Sequence, residues 1–480
     1  MDVGSTSAMG LAVGGCSVAA AGEVAGAGRP GRRRLARRRL LRGLLSLPLL
    51  LAAGCGPTLP PQAGPDRPRQ LTVWTLDLAP RFAPYMGRVI EAWERRHPGV
   101  KVRWVDVPWS SVERKLLAAV FARTPPDLVN LNPPFAANLA SKGGLLDLST
   151  VLPADASAAY LPTAWQAGSQ GGRQFAIPWY LTSRVTLANR RLLAQAGYTA
   201  PPQRWQEVPA YAEAVRRRTG RYALFVTVVP DDSAELLESM VQMGVELLDR
   251  RQRAAFNSPA GRRSFAFWTD LYRRGLLPRE VVSQGYRRAI ELYQAGDLAQ
   301  VASGPDFLRN LQTNAPGIAA HTAPFPPLTG PAGQTNVAVM NLVVPSRSPM
   351  AAEAASFALF LTDGAQQLAF AREARVLPSA RSALDQLGRE LALPETAGSG
   401  GTAVERGQGR QERLVRQARS LAVASLASSR VLVPATPGVK RLQAIVYTQL
   451  QRAMLGQISS DDALAEAARQ WDRYAAARWP

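Results

Sequence analysis

Residues 70–107, QLTVWTLDLAPRFAPYMGRVIEAWERRHPGVKVRWVDV, decide the fold class of this protein. The first six residues are β-branched and aromatic, which predicts a buried strand, and residues 100–107 alternate as a second strand does. Between them, Pro84 to Arg96 carries apolar residues at helical spacing and stops at a His-Pro-Gly sequence. A strand, a helix and a strand at this pitch predict an α/β protein with a parallel sheet.

The alternation continues beyond this stretch, and the chain is long enough for two units. Removing the first 54 residues would leave 426, which suggests two lobes at roughly 100–200 residues per domain. The further predictions are a helix at 110–121, a strand at 127–131, a second unit from near Ile177 with helices at 189–197 and 205–219, a strand at 222–229, and a glycine-rich flexible loop at 398–409.

The first 54 residues have the composition of an export signal. Seven arginines between Arg32 and Arg42 precede an apolar run from Leu44 to Ala53, and such a segment with a small-residue exit is typical of secretion signals. Ten apolar residues are too few for a membrane-spanning helix, which needs roughly 20. Arg37-Arg38-Arg39 also looks like a twin-arginine export signal, so Sec and twin-arginine export both remain open.

The signal ends in Leu51-Ala52-Ala53-Gly54-Cys55, which resembles a bacterial lipobox. The resemblance implies lipidation at Cys55 as the first residue of the mature chain, although Ala52 stands where the motif usually has leucine. The alternative is an ordinary signal peptide with an incidental cysteine. Five prolines follow within residues 55–69, and they predict an extended tether of about 3 Å per residue.

Composition limits the function classes. The net charge is +21, and six of these charges belong to the first 54 residues, which hold eight arginines and two acids. The remaining arginines are scattered, and no segment combines a positive groove with stacking aromatics, so nucleic-acid binding is not expected. The basic balance still favours an anionic ligand or an acidic membrane surface. The chain has two cysteines. Since Cys16 lies in the signal and Cys55 would carry lipid, no thiol is left for a disulfide or a metal cluster.

Enzyme signatures are missing from the sequence. Only two histidines exist, His97 and His321, and neither has a serine or cysteine pattern typical of nucleophilic catalysis. No group of histidines and acids has metal-ligand spacing, and the glycines at 168–172 lack the lysine and hydroxyl of a phosphate loop. We therefore expect no catalytic residue, no metal and no cofactor.

Several short blocks, taken in order, resemble the family 1 extracellular solute-binding proteins of ABC importers, the maltose-binding-protein-like group. Each block is weak alone, but their order and spacing extend over most of the chain. The blocks are 82–102, Pro126-Asp127-Leu128-Val129, 144–148, Phe175-Ala176-Ile177-Pro178-Trp179, 201–207, Phe256-Asn257-Ser258-Pro259, Gly304-Pro305, Pro378-Ser379, Pro434 with Pro437, and Gly456 with Ala463-Leu464.

The resemblance implies a two-lobed periplasmic-binding-protein-like fold of class II with a ligand cleft between the lobes. Lobe 1 would comprise 70–178 and 326–361, and lobe 2 would comprise 182–320 and 365–480. A ligand that touches both lobes would close them by a hinge motion, because it binds the closed state better. The closed form would then dock on a membrane permease.

The binding residues are expected at strand ends and at the crossings between lobes. Sugars are held by aromatic faces and by polar groups that fix their hydroxyls. The candidates are Asp77, Asn130, Asn132, Trp179, Tyr180, Thr182, Asp306, Phe307 and Asn336, and Arg184 follows Thr182 at the first crossing. Asn336 is a weaker candidate than the others, as are Asn341 and Lys440. Asp306 departs from the tryptophan common in the family, and Phe307 is the substitute platform.

Each candidate has a structural alternative. Asp77 and Asn132 are equally suited to turns or helix caps, and Trp179 with Tyr180 could pack inside the hinge. Trp205 and Trp268 are expected in the core.

The sequence thus predicts a lipid-anchored, monomeric, extracytoplasmic or periplasmic binding subunit of an ABC importer, with a carbohydrate as its solute. The alternatives are an anionic or phosphorylated solute, and a surface-anchored glycoside-processing enzyme.

Overall fold

A computed structural model describes residues 69–230, 232–393, 403–433 and 435–478, without the side chains of 403–408. The predicted signal, the tether and Cys55 lie outside the described residues. In the part that is described, no helix is long and apolar enough to cross a membrane.

The strands form one large sheet and smaller ones. In chain order they are β1 (Arg69–Leu76), β2 (Val100–Val107), β3 (Leu128–Leu131), β4 (Ser169–Gln170), β5 (Arg173–Gln174), β6 (Ile177–Thr182), β7 (Val185–Asn189), β8 (Gln300–Ser303), β9 (Thr322–Phe325), β10 (Thr335–Asn336), β11 (Ala338–Val343), β12 (Leu377–Pro378) and β13 (Ser429–Arg430).

The large sheet has the order β12-β6-β11-β3-β1-β2. β1 pairs in parallel with both β2 and β3, with Val73 opposite Trp104 on one side and Leu128 on the other. β11 lies between β3 and β6 and is antiparallel to both. The α/β arrangement confirms the predicted fold class, although the sheet is mixed and not wholly parallel. The strands predicted at 70–75 and 100–107 are present.

Helices cover these sheets. They are α1 (Ala83–Glu94), α2 (Val112–Phe121), α3 (Pro133–Ala140), α4 (Pro162–Gln166), α5 (Arg190–Ala196), α6 (Val208–Thr219), α7 (Glu235–Gln242), α8 (Pro259–Arg273), α9 (Tyr286–Gln294), α10 (Phe307–Asn314), α11 (Pro316–Ala319), α12 (Ala351–Leu361), α13 (Gly364–Ala374), α14 (Arg381–Ala392), α15 (Ala403–Ser425), α16 (Val439–Met454) and α17 (Ser460–Arg478).

The apolar side chains separate into two cores. The first core lies on the large sheet and includes Val73, Trp93 and Leu342. The second core surrounds the small sheet β8-β7-β9 and includes Trp205 and Trp268. Two cores of this kind define two lobes, and the chain passes from the first to the second between β6 and β7, at residues 183 and 184.

The return to the first lobe lies later in the chain than we expected. We assigned 326–361 to lobe 1, but Thr329 donates its backbone N–H to the carbonyl of Gln203 at 2.9 Å, and β10 pairs with β13. Val337 belongs to the second core, whereas Met340 belongs to the first. The crossing therefore falls near residue 338, because the preceding segment finds its backbone partners in the second lobe.

Two local predictions were wrong. Residues 222–229 do not form a strand, because their pairing is limited to the start, where an isolated bridge joins Tyr222 to Leu298. Helix α15 begins at Ala403, so the second half of the loop predicted at 398–409 is helical.

Candidate functional site

The edge of the large sheet that faces the second lobe carries the carboxyl ends of β1, β3 and β6. The registers show this directly, since Leu131 lies opposite Asn341 and Thr182 lies opposite Ala338 at the beginning of β11. The chain order reverses at β1, which pairs with β3 on one side and β2 on the other. In open α/β sheets, ligands bind in the crevice at such a switch point.

Asp77, Asn132 and Thr182 are the predicted residues at this edge, and the first two of them support local structure. Asp77 follows β1 with a positive φ of 49°, and its carboxylate accepts a hydrogen bond from the backbone N–H of Trp109 at 2.8 Å. Asn132 caps α3, where its side-chain oxygen accepts from the N–H of Phe135 at 2.9 Å. Asp77 and Asn132 therefore each have the turn or cap role that the sequence left open. Both also lie where a ligand contact is expected.

Asn130, Trp179 and Tyr180 are buried in the first lobe, in contrast to the expected ligand contacts. Trp179 is 0% exposed and stacks on Phe370 with ring centroids 5.1 Å apart. Burial raises the pKa of Tyr180 above its usual range. Asn130 donates to the carbonyl of Asn341 at 3.0 Å. Interior strands of such a sheet are covered on both faces, so their side chains become core on either side.

The second lobe contributes the end of β8 and the start of α10. Phe307 is buried beside Tyr293, with 6.4 Å between ring centroids, so it does not offer the aromatic platform that we expected. Asp306 is half-buried, and its carboxylate lies 3.9 Å from a guanidinium nitrogen of Arg81 and 3.7 Å from one of Arg375. Since Arg81 follows β1, the contact with Asp306 joins the two lobes.

A second contact between the lobes involves Lys440, a weaker candidate. Its ammonium group lies 2.7 Å from the carboxylate of Glu113, which is on α2 in the first lobe. This partner gives Lys440 a role that does not require a ligand.

A cavity lined by both apolar and charged side chains lies inside the second lobe next to the crossing. Its volume is about 60 Å³, enough for a few water molecules. Arg184 forms ion pairs there with Glu235, at 3.5 Å, and with Glu238. Asn336 donates to Glu238 at 2.8 Å and accepts from the N–H of Leu432 at 3.1 Å.

Burial raises the pKa of Glu235 to about 7, although the nearby Arg184 opposes this shift. The four side chains of Arg184, Glu235, Glu238 and Asn336 form what we call the paired cluster. Every charge in it faces an opposite charge or a hydrogen-bond donor, so it resembles a structural network more than a vacant site.

Sequence reasoning missed several residues around the cleft. Trp109 directly follows β2, and the rule that ligands lie at strand carboxyl ends could have identified it. Arg375 and Arg419 are distant in sequence from every candidate, and we find no local signal that marks them. Within the described residues, no group of three or more histidine, cysteine or acidic side chains could hold a metal ion.

The chain is similar to known proteins in both sequence and fold. The sequence model of the bacterial extracellular solute-binding proteins matches residues 77–368. A candidate oligosaccharide periplasmic-binding protein from Synechococcus sp. MITs9220 is 64% identical in sequence and superposes with a TM-score of 0.78, over 85% of this chain and 100% of that chain.

More distant proteins share the fold. A cyclic α-maltosyl-1,6-maltose binding protein from Arthrobacter globiformis has a TM-score of 0.68 at 21% identity, over 85% of this chain and 99% of that chain. A Deinococcus radiodurans protein named as a probable ABC transporter-binding protein is 25% identical over 247 residues, which are 49% of this chain and 58% of that protein.

Proposed function

Because the chain belongs to the bacterial extracellular solute-binding proteins, which serve ABC transporters, we propose that it captures a carbohydrate between its lobes and delivers it to a permease. The observation that carries the proposal is the 64% identity, over 85% of this chain, to the Synechococcus protein named for an oligosaccharide. The two separate cores with polar side chains at their facing edges support it.

The proposed contacts come from both sides of the cleft. Asp77, Asn132 and Thr182 supply hydroxyl-binding groups at the edge of the first lobe. Asp306 lies on the second lobe, at the start of α10. Asn336, also on the second lobe, uses both side-chain polar atoms in hydrogen bonds with Glu238 and Leu432 and is not among these contacts. A solute that touches both sets binds the closed state more tightly than the open state, and it shifts the population towards closure by that difference.

We further propose that the mature protein is a monomer held outside the cytoplasm by lipid on Cys55. The lipobox-like sequence and the proline-rich segment after it support this anchor. A Cys55→Ser variant expressed in the native host should move from the membrane fraction to the soluble extracytoplasmic fraction. Retention of the variant in the membrane would contradict the lipid anchor.

Titration calorimetry with a panel of mono- and oligosaccharides tests the carbohydrate proposal. We expect saturable binding, a smaller radius of gyration in X-ray scattering, and no new product by chromatography after overnight incubation. Product formation would instead support the alternative of a glycoside-processing enzyme. Absence of binding across the panel would contradict the proposal.

The proposed cleft contacts can be tested with an isosteric pair of variants. Thr182→Val removes one hydroxyl at the sheet edge and should weaken saccharide binding about five- to tenfold, as expected for one lost hydrogen bond. Thr313→Val is the matched control, because Thr313 is exposed on α10 and its hydroxyl donates only to the carbonyl of Arg309 among the described contacts. Equal affinities of the two variants would remove Thr182 from the site.

A further inference from the structure

Four arginines from separate parts of the chain lie near one another where the lobes face each other. Arg81 and Arg375 share the carboxylate of Asp306, and Arg375 is close enough to Arg309 and Arg419 for their charges to repel. Arg81 follows β1 in the first lobe, and Arg375 ends α13. Arg309 lies in the first turn of α10, and Arg419 lies on α15. We call these four residues the arginine cluster. Asp306 is the carboxylate nearest to its centre, in contact with Arg81 and Arg375.

Asp306 does not satisfy these cations. Its separations of 3.9 and 3.7 Å from Arg81 and Arg375 exceed the roughly 2.7–2.9 Å of a charge-assisted hydrogen bond. One of its oxygens has no hydrogen-bond partner among the described residues. The guanidinium groups therefore surround a carboxylate without closing on it, and hydrogen-bond donors remain available.

Arg419 is the most buried member of the cluster, and its donors are only partly used. One terminal nitrogen donates to the carbonyl of Ala371 at 3.0 Å, whereas its buried Nε has no partner in the described structure. Burial and the neighbouring Arg375 lower the pKa of Arg419 to about 10, although Glu390 and Asp306 act in the opposite direction. Glu390 is largely occupied, because it forms an ion pair with Arg372.

Arg375 shows the same surplus of positive charge. Burial lowers its pKa most, and Arg309 lowers it further. Asp306 opposes this shift more strongly than Arg81 adds to it, and the opposing effect of Glu412 is the smallest. Its backbone has a φ of 59°, a left-handed conformation that costs a non-glycine residue roughly 1–2 kcal/mol. Arg375 is the residue that caps the end of α13, where a left-handed conformation is common.

We propose that the arginine cluster is a subsite for an anionic group, such as a phosphate, sulfate or carboxylate, on the captured solute. This inference rests on the proposed function and narrows the solute class to carbohydrates that carry an acidic group. Guanidinium groups suit this role because their planar donors match the oxygens of phosphate and carboxylate. An anion here would contact both lobes and would favour closure.

Matched ligand pairs test the inference. Titration calorimetry at low ionic strength would compare glucose with glucose 6-phosphate and glucuronate, and sucrose with sucrose 6-phosphate. We expect the anionic member to bind about tenfold more tightly or better, as for hydrogen bonds to charged groups. Arg375→Gln and Arg81→Gln should each reduce this preference. Arg81 is 45% exposed, so its variant keeps the fold even if the buried variants do not.

Asp306→Asn provides a change of opposite sign. Removing the competing carboxylate should raise the ratio of the affinity for the anionic member to the affinity for the neutral member, whatever it does to the sugar contacts that both members share. A merely structural role would not change this ratio. Arg287→Gln is the matched control, since Arg287 is 92% exposed on α9 and away from the cluster. Equal affinity for both members, or a preference that survives the Arg375→Gln and Arg81→Gln changes together, would overturn the inference.

Thermal shifts with inorganic phosphate and sulfate, against chloride at equal ionic strength, separate the two proposals. Stabilisation by phosphate that is lost in Arg81→Gln supports the subsite even if no saccharide binds, and the carbohydrate proposal then fails alone. Binding of neutral saccharides with no anion preference overturns the subsite and leaves the proposed function standing.

Discussion

The paired cluster lies inside the second lobe, the arginine cluster lies where the lobes face each other, and the two differ in how their charges are balanced. In the paired cluster, burial alone would lower the pKa of Arg184, but Glu238 and Glu235 outweigh it and raise that pKa. In the arginine cluster, burial and a neighbouring cation lower the pKa of Arg419 to about 10. The carboxylates near Arg184 more than offset the effect of its burial on the pKa, whereas those near Arg419 do not.

The difference separates architecture from binding. A buried charge that is removed from its partners costs several kcal/mol, so a paired network is held in place by its own members. A group of like charges without sufficient counter-charge is kept at a cost to stability. It is therefore the better candidate for a site that waits for a ligand.

The largest expected effect comes from breaking the paired cluster. Arg184→Met would leave Glu235 and Glu238 facing each other without a cation, and we expect unfolding to become easier by ~3 kcal/mol. Urea unfolding followed by far-ultraviolet circular dichroism measures this. Arg287→Met, at an exposed position, should stay within about 0.5 kcal/mol of the wild type. Equal stability of the two variants would mean that the pairing is not structural.

The pH dependence of stability gives the second test. The pKa of Glu235 is raised to about 7 in the folded protein, so between about pH 4.5 and 7 the folded state keeps a proton that the unfolded state has lost. The free energy of unfolding therefore falls as pH rises through this range. Glu235→Gln, which stays neutral, should flatten that decline and be more stable at pH 8 by on the order of 2 kcal/mol. Glu213→Gln, on the exposed side of α6, is the control. Parallel pH profiles of wild type and Glu235→Gln would contradict the shift.

Arg375→Gly tests the other side of the comparison. Glycine adopts the left-handed conformation of Arg375 without strain, and the change also relieves repulsion among the arginines. We expect the free energy of unfolding to rise by about 1 kcal/mol, while any preference for anionic solutes falls. Calorimetric unfolding and ligand titration on the same sample measure both. Lower stability of this variant would show that the cluster serves the fold.

The smallest effect concerns the exposed pair of Lys440 and Glu113, which joins the lobes at 2.7 Å. A double-mutant cycle with Lys440→Met and Glu113→Gln should give a coupling energy between zero and about 1 kcal/mol, and it should vanish at ~1 M salt. A larger coupling energy that persists at high salt would contradict this expectation and would mean that the contact contributes substantially to holding the lobes together.

The sequence was sufficient for the main sheet and less so for its connections. The strands near 70–76 and 100–107 were predictable because β-branched runs alternate with a helix whose apolar face is clear. Residues 222–229 have a similar composition, yet only their first residues reach a neighbouring strand. Composition indicates that a segment suits a sheet, but it does not supply the partner.

The site was less predictable for a related reason. Trp179 and Tyr180 lie on an interior strand, and an apolar run that is covered on both faces gives no sign of which residues reach the cleft. Asp77 and Asn132 were found because strand ends are visible in the sequence. The arginine cluster was not found, because only tertiary packing brings Arg81 and Arg419 close to Arg375. In the sequence, each of these residues looks like an ordinary surface arginine.

The position of β11 in the large sheet has a consequence for how the protein is made. β11 separates β3 from β6, but it follows them in the chain only after most of the second lobe has been synthesised. Until then, a nascent chain presents two unpaired strand edges that invite association with other chains. A translocation route that threads the unfolded polypeptide would delay sheet formation past this stage, whereas a route for folded cargo would require protection of those edges in the cytoplasm.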